Sequence, residues 1–208
     1  LPDISSTISI NTAAASPIIN SPTAAAGFQI RVGATGGANL TMNGGSLDVC
    51  QWLMIGVGEA GRPGTLTMNG GTINLGYFTA VHGHLWIGYT SNGTLTMNGG
   101  DINVPGRFGL GFSSGSAVVH LDGGTITAGF FSMTSSCSLD ITGGTLIING
   151  DQTALIRSYI NSGWFTAFGG AGKIVYEYNI ANAGKTTVTA IAPVQGDIDK
   201  DFDVDTRG

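Results

Sequence analysis

The chain has 208 residues, of which 35 are glycine and only 10% are Asp, Glu, Lys or Arg, with a formal net charge of −5. Each glycine costs a helix about 1 kcal/mol relative to alanine, which argues against a helical protein; the glycines keep no three-residue period and only six prolines accompany them, which excludes collagen. Apolar residues make up 42% and recur at patterned positions, which excludes simple disorder and leaves a β-rich chain with many tight turns.

Residues 1–27 open with an alternating stretch, Ile4-Ser5-Ser6-Thr7-Ile8-Ser9-Ile10, followed by an Ala/Ser/Pro-rich run. They read as a terminal strand that caps the body or is exchanged between subunits. Residues 28–150 carry a repeat. Leu40-Thr41-Met42-Asn43-Gly44-Gly45 returns from Leu66 to Gly71 and from Leu95 to Gly100, with weaker copies from Val119 to Gly124 and from Leu139 to Gly144. A short strand precedes each motif and another follows it, so each unit holds about three strands with period-two alternation and glycine-marked corners. A single unit cannot bury its apolar side alone; stacking units about 4.8 Å apart closes a continuous core. The fold class expected is all-β, a parallel β-helix of about five coils with terminal β caps. Asn43, Asn69 and Asn98 share one column and are expected to form an amide ladder at a corner.

Residues 151–192 leave the repeat. A helix is expected over Thr153–Ile160, with strands at Trp164–Phe168, Lys173–Tyr178 and Thr186–Ile191, together a C-terminal β cap. Residues 193–208 are an acidic tail that holds five of the thirteen acidic residues, so the body before it is nearly neutral.

Candidate site residues fall in three groups. Trp52, Met54 and Trp86 take outward positions, and the insertion Gly76–His84 adds Tyr77 and Phe78; either the loop folds over the outward residues, or together they form a sugar-stacking or subunit-contact surface. Asp197, Asp199, Asp201, Asp203 and Asp205 place a carboxylate at every second residue, a pattern of hard oxygen ligands that suits Ca²⁺. Asn92 and Asn39 begin glycosylation sequons, Asn92 being the better placed because it falls in a turn. His82, His84 and His120 lack the Cys or carboxylate neighbours of a zinc site. Gly111-Phe112-Ser113-Ser114-Gly115 matches a nucleophile-elbow pattern by letters only, because strands and no helix surround it. Asp48, Glu59, Asp101, Asp122 and Asp140 form no catalytic pair, so no enzymatic activity is expected. Cys50 and Cys137 stand four coils apart, about 19 Å along the axis, which is too far for a disulfide, so both are expected free and buried or paired across subunits.

The motif Leu66-Thr67-Met68-Asn69-Gly70-Gly71-Thr72 and the segments Gly169–Lys173 and Gly184–Ala190, with the acidic tail, resemble secreted β-helix repeat proteins of planctomycete-type bacteria. The tail is similar to the start of a dockerin calcium loop: Asp197, Asp199 and Asp201 match its ligands and Val204 its apolar position. Phe202 stands in place of its glycine, Gly208 in place of its last carboxylate, and no second dockerin half follows. The resemblance implies a secreted or cell-surface setting and brings no activity with it. The chain begins at Leu1 without a signal-peptide pattern, which suggests a mature secreted chain or a trimmed fragment. The dispersed basic residues argue against nucleic acid, and no apolar run approaches a membrane span. The function expected is an extracellular structural subunit that self-assembles into a filament or surface layer, with Ca²⁺ as a stabilising ion. The alternative is a carbohydrate-binding or polysaccharide-degrading module.

Overall fold

The computed structural model describes residues 3–4, 7–10, 18–19, 29–34, 37–58, 62–76 and 83–194, with side chains from residue 29 onward. In chain order these form β1 (Asp3–Ile4), β2 (Thr7–Ile10), β3 (Ile18–Ile19), β4 (Gln29–Val32), β5 (Ala38–Val49), β6 (Trp52–Ile55), β7 (Gly64–Leu75) and β8 (His84–Ile87). There follow β9 (Gly93–Leu110), β10 (Ala117–Met133), β11 (Ser138–Ile141), β12 (Thr145–Asn149), α1 (Thr153–Asn161), β13 (Phe165–Ala167), β14 (Lys173–Tyr178) and β15 (Lys185–Ile191).

The pairing register sorts these strands into three parallel stacks. The first face holds β2, β11, β13 and the leading parts of β5, β7, β9 and β10, with Leu40, Leu66, Leu95, Val119 and Leu139 in one column. The second face holds β3, the following parts of the same long strands, and β12. The third face holds β1, β4, β6, β8 and the ends of β9 and β10. This is the parallel β-solenoid of about five turns that the repeat predicts.

Each full coil sends six side chains inward, two per face. In the second coil these are Leu53, Ile55, Leu66, Met68, Ile73 and Leu75, none more than 3% exposed. Burying each stabilises the fold by about 1.5–3 kcal/mol. In the fourth coil Phe108 takes more room, and the small Val119 and Ala128 on the other faces compensate, which keeps the interior close-packed.

One corner shows why glycine is required. Between the first and second faces stand Gly45, Gly71, Gly100 and Gly124, at φ 75, 85, 84 and 75. A Cβ on Gly71 would also lie 2.6 Å from the Gly45 carbonyl oxygen of the coil above, so both the left-handed turn and the stacking distance demand glycine. Beside this corner runs the expected ladder: Asn69 Nδ2 donates to Asn43 Oδ1 at 2.7 Å, and Asn98 Nδ2 donates to Asn69 Oδ1 at 2.7 Å. A second ladder runs along the second face, from Asn103 to Asn74 at 2.8 Å and from Asn74 to Asp48 at 2.7 Å.

The C-terminal end is closed. Helix α1 covers the last strand of the third face, where the Met133 backbone N–H donates to the Tyr159 hydroxyl at 3.3 Å and the Phe131 and Tyr159 rings meet edge to face at 5.8 Å. On the second face β15 turns antiparallel to β12, and β14 follows antiparallel to β15. Asp151 precedes α1 and accepts hydrogen bonds from the Thr153 hydroxyl at 2.7 Å and the Thr153 N–H at 3.0 Å. These bonds hold its carboxyl below the usual carboxylate range, the hydroxyl contributing most.

Candidate ligand-binding groove

The third face carries the site. Its outward positions form two columns set by the strand register. One column runs through Arg31, Met54, Trp86, Gly109 and Ser132. The other starts with Gln29, Trp52 and His84 and continues in the next coils with Arg107 and Phe130.

Gly109 decides where the Trp86 ring lies. The two residues are register partners, and a Cβ at Gly109 would run into the six-membered ring of Trp86. Glycine there lets the indole lie across the strand of the following coil. Two corner residues then wall it in. Tyr89 follows β8 and Phe112 follows β9; their rings stack at 4.7 Å with an interplanar angle of 15°. Phe112 also packs on Trp86 at 4.9 Å, and Tyr89 meets Trp86 edge-on at 6.0 Å. Such aromatic pairs contribute about 0.5–1.5 kcal/mol each beyond their area burial.

At the opposite edge Trp52 meets His84 edge-on at 5.4 Å. His84 Nδ1 accepts the Arg107 backbone N–H at 2.8 Å, which orients the ring and places the proton of the neutral imidazole on Nε2. The Arg107 guanidinium carbon lies 4.7 Å from the Phe130 ring centre and 5.7 Å from that of Trp86. Its Nη1 donates to Ser132 Oγ at 3.2 Å. Trp52, His84, Trp86, Tyr89, Arg107, Phe112 and Ser132 line a groove of about 540 Å³, completed by Ser113, Met133 and Thr134, with Phe130 outside it. The groove offers aromatic faces, hydroxyls and a guanidinium, and among the described residues its lining holds no carboxylate.

The structure refines the expected aromatic patch. Met54 is 2% exposed and Trp86 8% exposed, so neither projects freely. They form a small apolar cluster of their own with Val57, backed by Trp52 and Tyr89. Phe112, 43% exposed, is the open part of the wall. Tyr77, Phe78, His82 and Glu59 lie outside the described residues, as do Asp197, Asp199, Asp201, Asp203 and Asp205.

The carboxylates are spread over separate structural tasks. Asp48 ends the second ladder, Asp122 accepts from the Thr142 hydroxyl at 2.6 Å, and Asp140 accepts from Gly169 N–H at 2.9 Å and from the Thr166 hydroxyl at 2.5 Å. Ser113 sits at φ 52 in a turn that leads into β10 and not into a helix. Cys50 and Cys137 are free and buried. Asn92 is exposed in the turn before β9 and its Oδ1 accepts from Ser116 Oγ at 2.8 Å, while Asn39 is exposed on β5.

A second cleft of about 510 Å³ lies at the cap between α1, β13 and β14. There Arg157 Nε donates to the Tyr176 hydroxyl at 3.1 Å, which raises the Arg157 pKa. It lacks the clustered aromatic faces of the third-face groove. Among the described residues, no helix is long and apolar enough to cross a membrane. No protein-family model matches the chain, nor does any curated protein or solved structure.

Proposed function

We propose that this chain is a secreted, non-catalytic β-solenoid module that binds carbohydrate in the groove of its third face. One observation carries the reading: Trp52, Trp86, Tyr89 and Phe112 gather beside the Arg107, Ser113, Ser132 and Thr134 side chains in one lateral groove. A pyranose ring has the matching surface, with apolar C–H faces for the aromatic rings and hydroxyls for the polar groups. Low charge and the Thr/Asn/Gly-rich repeat support the extracellular setting. A glycan array tests the proposal. Binding that Phe112→Ala weakens, in a variant with unchanged thermal unfolding, supports it; a protein that retains no glycan on a broad array refutes it.

Self-association is a second reading, favoured by a different observation. Among the described residues no strand pairs with the outer edges of β1, β2 and β3, whereas α1 and the β14–β15 hairpin close the other end. An open filament needs two complementary ends. One open end supports pairing of two N-terminal coils, so the assembly proposed is a dimer. Sedimentation velocity over a range of concentrations tests it: a dimer that loses its partner when residues 1–27 are removed supports it, and a monomer throughout refutes it.

A further inference from the structure

We infer that the ligand of the third-face groove is an acidic sugar, one whose carboxylate or sulfate pairs with Arg107. The inference rests on the carbohydrate reading above and narrows it. The outward residues of the third face from the second coil on are Trp52, Met54, His84, Trp86, Arg107, Gly109, Phe130 and Ser132, with Arg107 positive and none acidic. The guanidinium is held in place before any ligand arrives. Phe130 and Trp86 present their ring faces to it at 4.7 and 5.7 Å, and Ser132 Oγ takes one of its N–H groups at 3.2 Å. Among the described residues that is its only side-chain hydrogen bond.

A guanidinium has five N–H donors in a planar fork that matches an acid group two bonds at a time. Arg107 therefore brings unspent donors to the groove floor. They lie beside the aromatic rings on which a sugar ring would stack. An acidic pyranose satisfies both features at once, with its ring on the aromatic wall and its acid group on the fork. A neutral sugar leaves the charge unanswered. The carboxylates of Asp48, Asp122 and Asp140 do not compete, because their partners are on the first and second faces and the corner between them.

Titration calorimetry tests the inference with three probes: tetragalacturonate, its full methyl ester, and a sulfated neutral tetrasaccharide. The ester keeps the ring shape and removes the charge. The expected result is a preference of about 10-fold or more for an acidic probe over the ester. That preference disappears in Arg107→Gln and is partly kept in Arg107→Lys, which retains the charge without the fork. The stronger of the two acidic probes names the acid group. Equal binding of acid and ester overturns the inference and leaves the carbohydrate reading standing. A preference that survives Arg107→Gln at unchanged thermal stability overturns the assignment to Arg107. Failure of all three probes, with no glycan retained on the array, overturns both.

Discussion

Gly71→Ala isolates what the stacked corner contributes. Gly71 adopts φ 85, and an added Cβ would lie 2.6 Å from the Gly45 oxygen and 2.7 Å from the Gly44 carbonyl carbon. Two penalties add. The left-handed backbone costs a non-glycine residue about 1–2 kcal/mol. Moving one coil away from the next, against close packing, costs about 1–3 kcal/mol more. Gly184 supplies the control: its φ is 69, and nothing lies within 4 Å of an added Cβ. Gly184→Ala therefore bears only the first penalty. Both variants lose the same unfolded-state freedom, so that effect cancels in the comparison. Urea unfolding followed by circular dichroism should show Gly71→Ala destabilised by about 2–5 kcal/mol and Gly184→Ala by about 1–2 kcal/mol. Comparable slopes are needed for the comparison, since repeat arrays can lose two-state behaviour. Equal losses in the two variants would refute the claim that the corner glycines are required by contact between coils.

Asn69→Ala removes both ladder bonds of the middle residue, each 2.7 Å long. Water replaces them at this exposed corner, so a loss of about 1 kcal/mol is expected in the same urea assay. Asp151 gives a pH signature: its folded pKa is lowered by the Thr153 hydrogen bonds, so its stabilising contribution is present above the unfolded carboxylate pKa near 3.8 and is lost as pH falls through the lower folded value. Thermal unfolding of Asp151→Ala should lie below the wild type at pH 6, with the gap narrowing as the pH falls below about 3.8; a constant offset would contradict this.

The solenoid was legible because its physics repeats. Leu66 and Met68 recur as Leu95 and Met97, and a two-residue alternation repeated every coil admits one inward face per strand. The Asn ladder was legible for the same reason. The groove was not, because its neighbours come from different coils. The pattern marks Met54 and Trp86 as outward, yet Tyr89 and Phe112, brought up by stacking, cover Trp86. The signal lay in the column Met54, Trp86, Gly109, where a bulky ring faces a glycine one coil on. Asp48 was misleading in a similar way. It counts in the sequence only as a carboxylate without a catalytic partner, and its ladder partner Asn74 becomes visible only when the second face is aligned coil against coil.

The three tryptophans allow a direct test of the binding site. Trp52 and Trp86 line the groove, while Trp164 stacks on Tyr159 at 6.0 Å in the C-terminal cap. A two-dimensional nitrogen–proton spectrum of the labelled protein resolves one indole signal for each. Titration with tetragalacturonate should move the Trp52 and Trp86 signals together along a saturating curve and leave Trp164 in place. Shifts confined to Trp164, or saturable binding that moves none of the three, would contradict a sugar site on the third face.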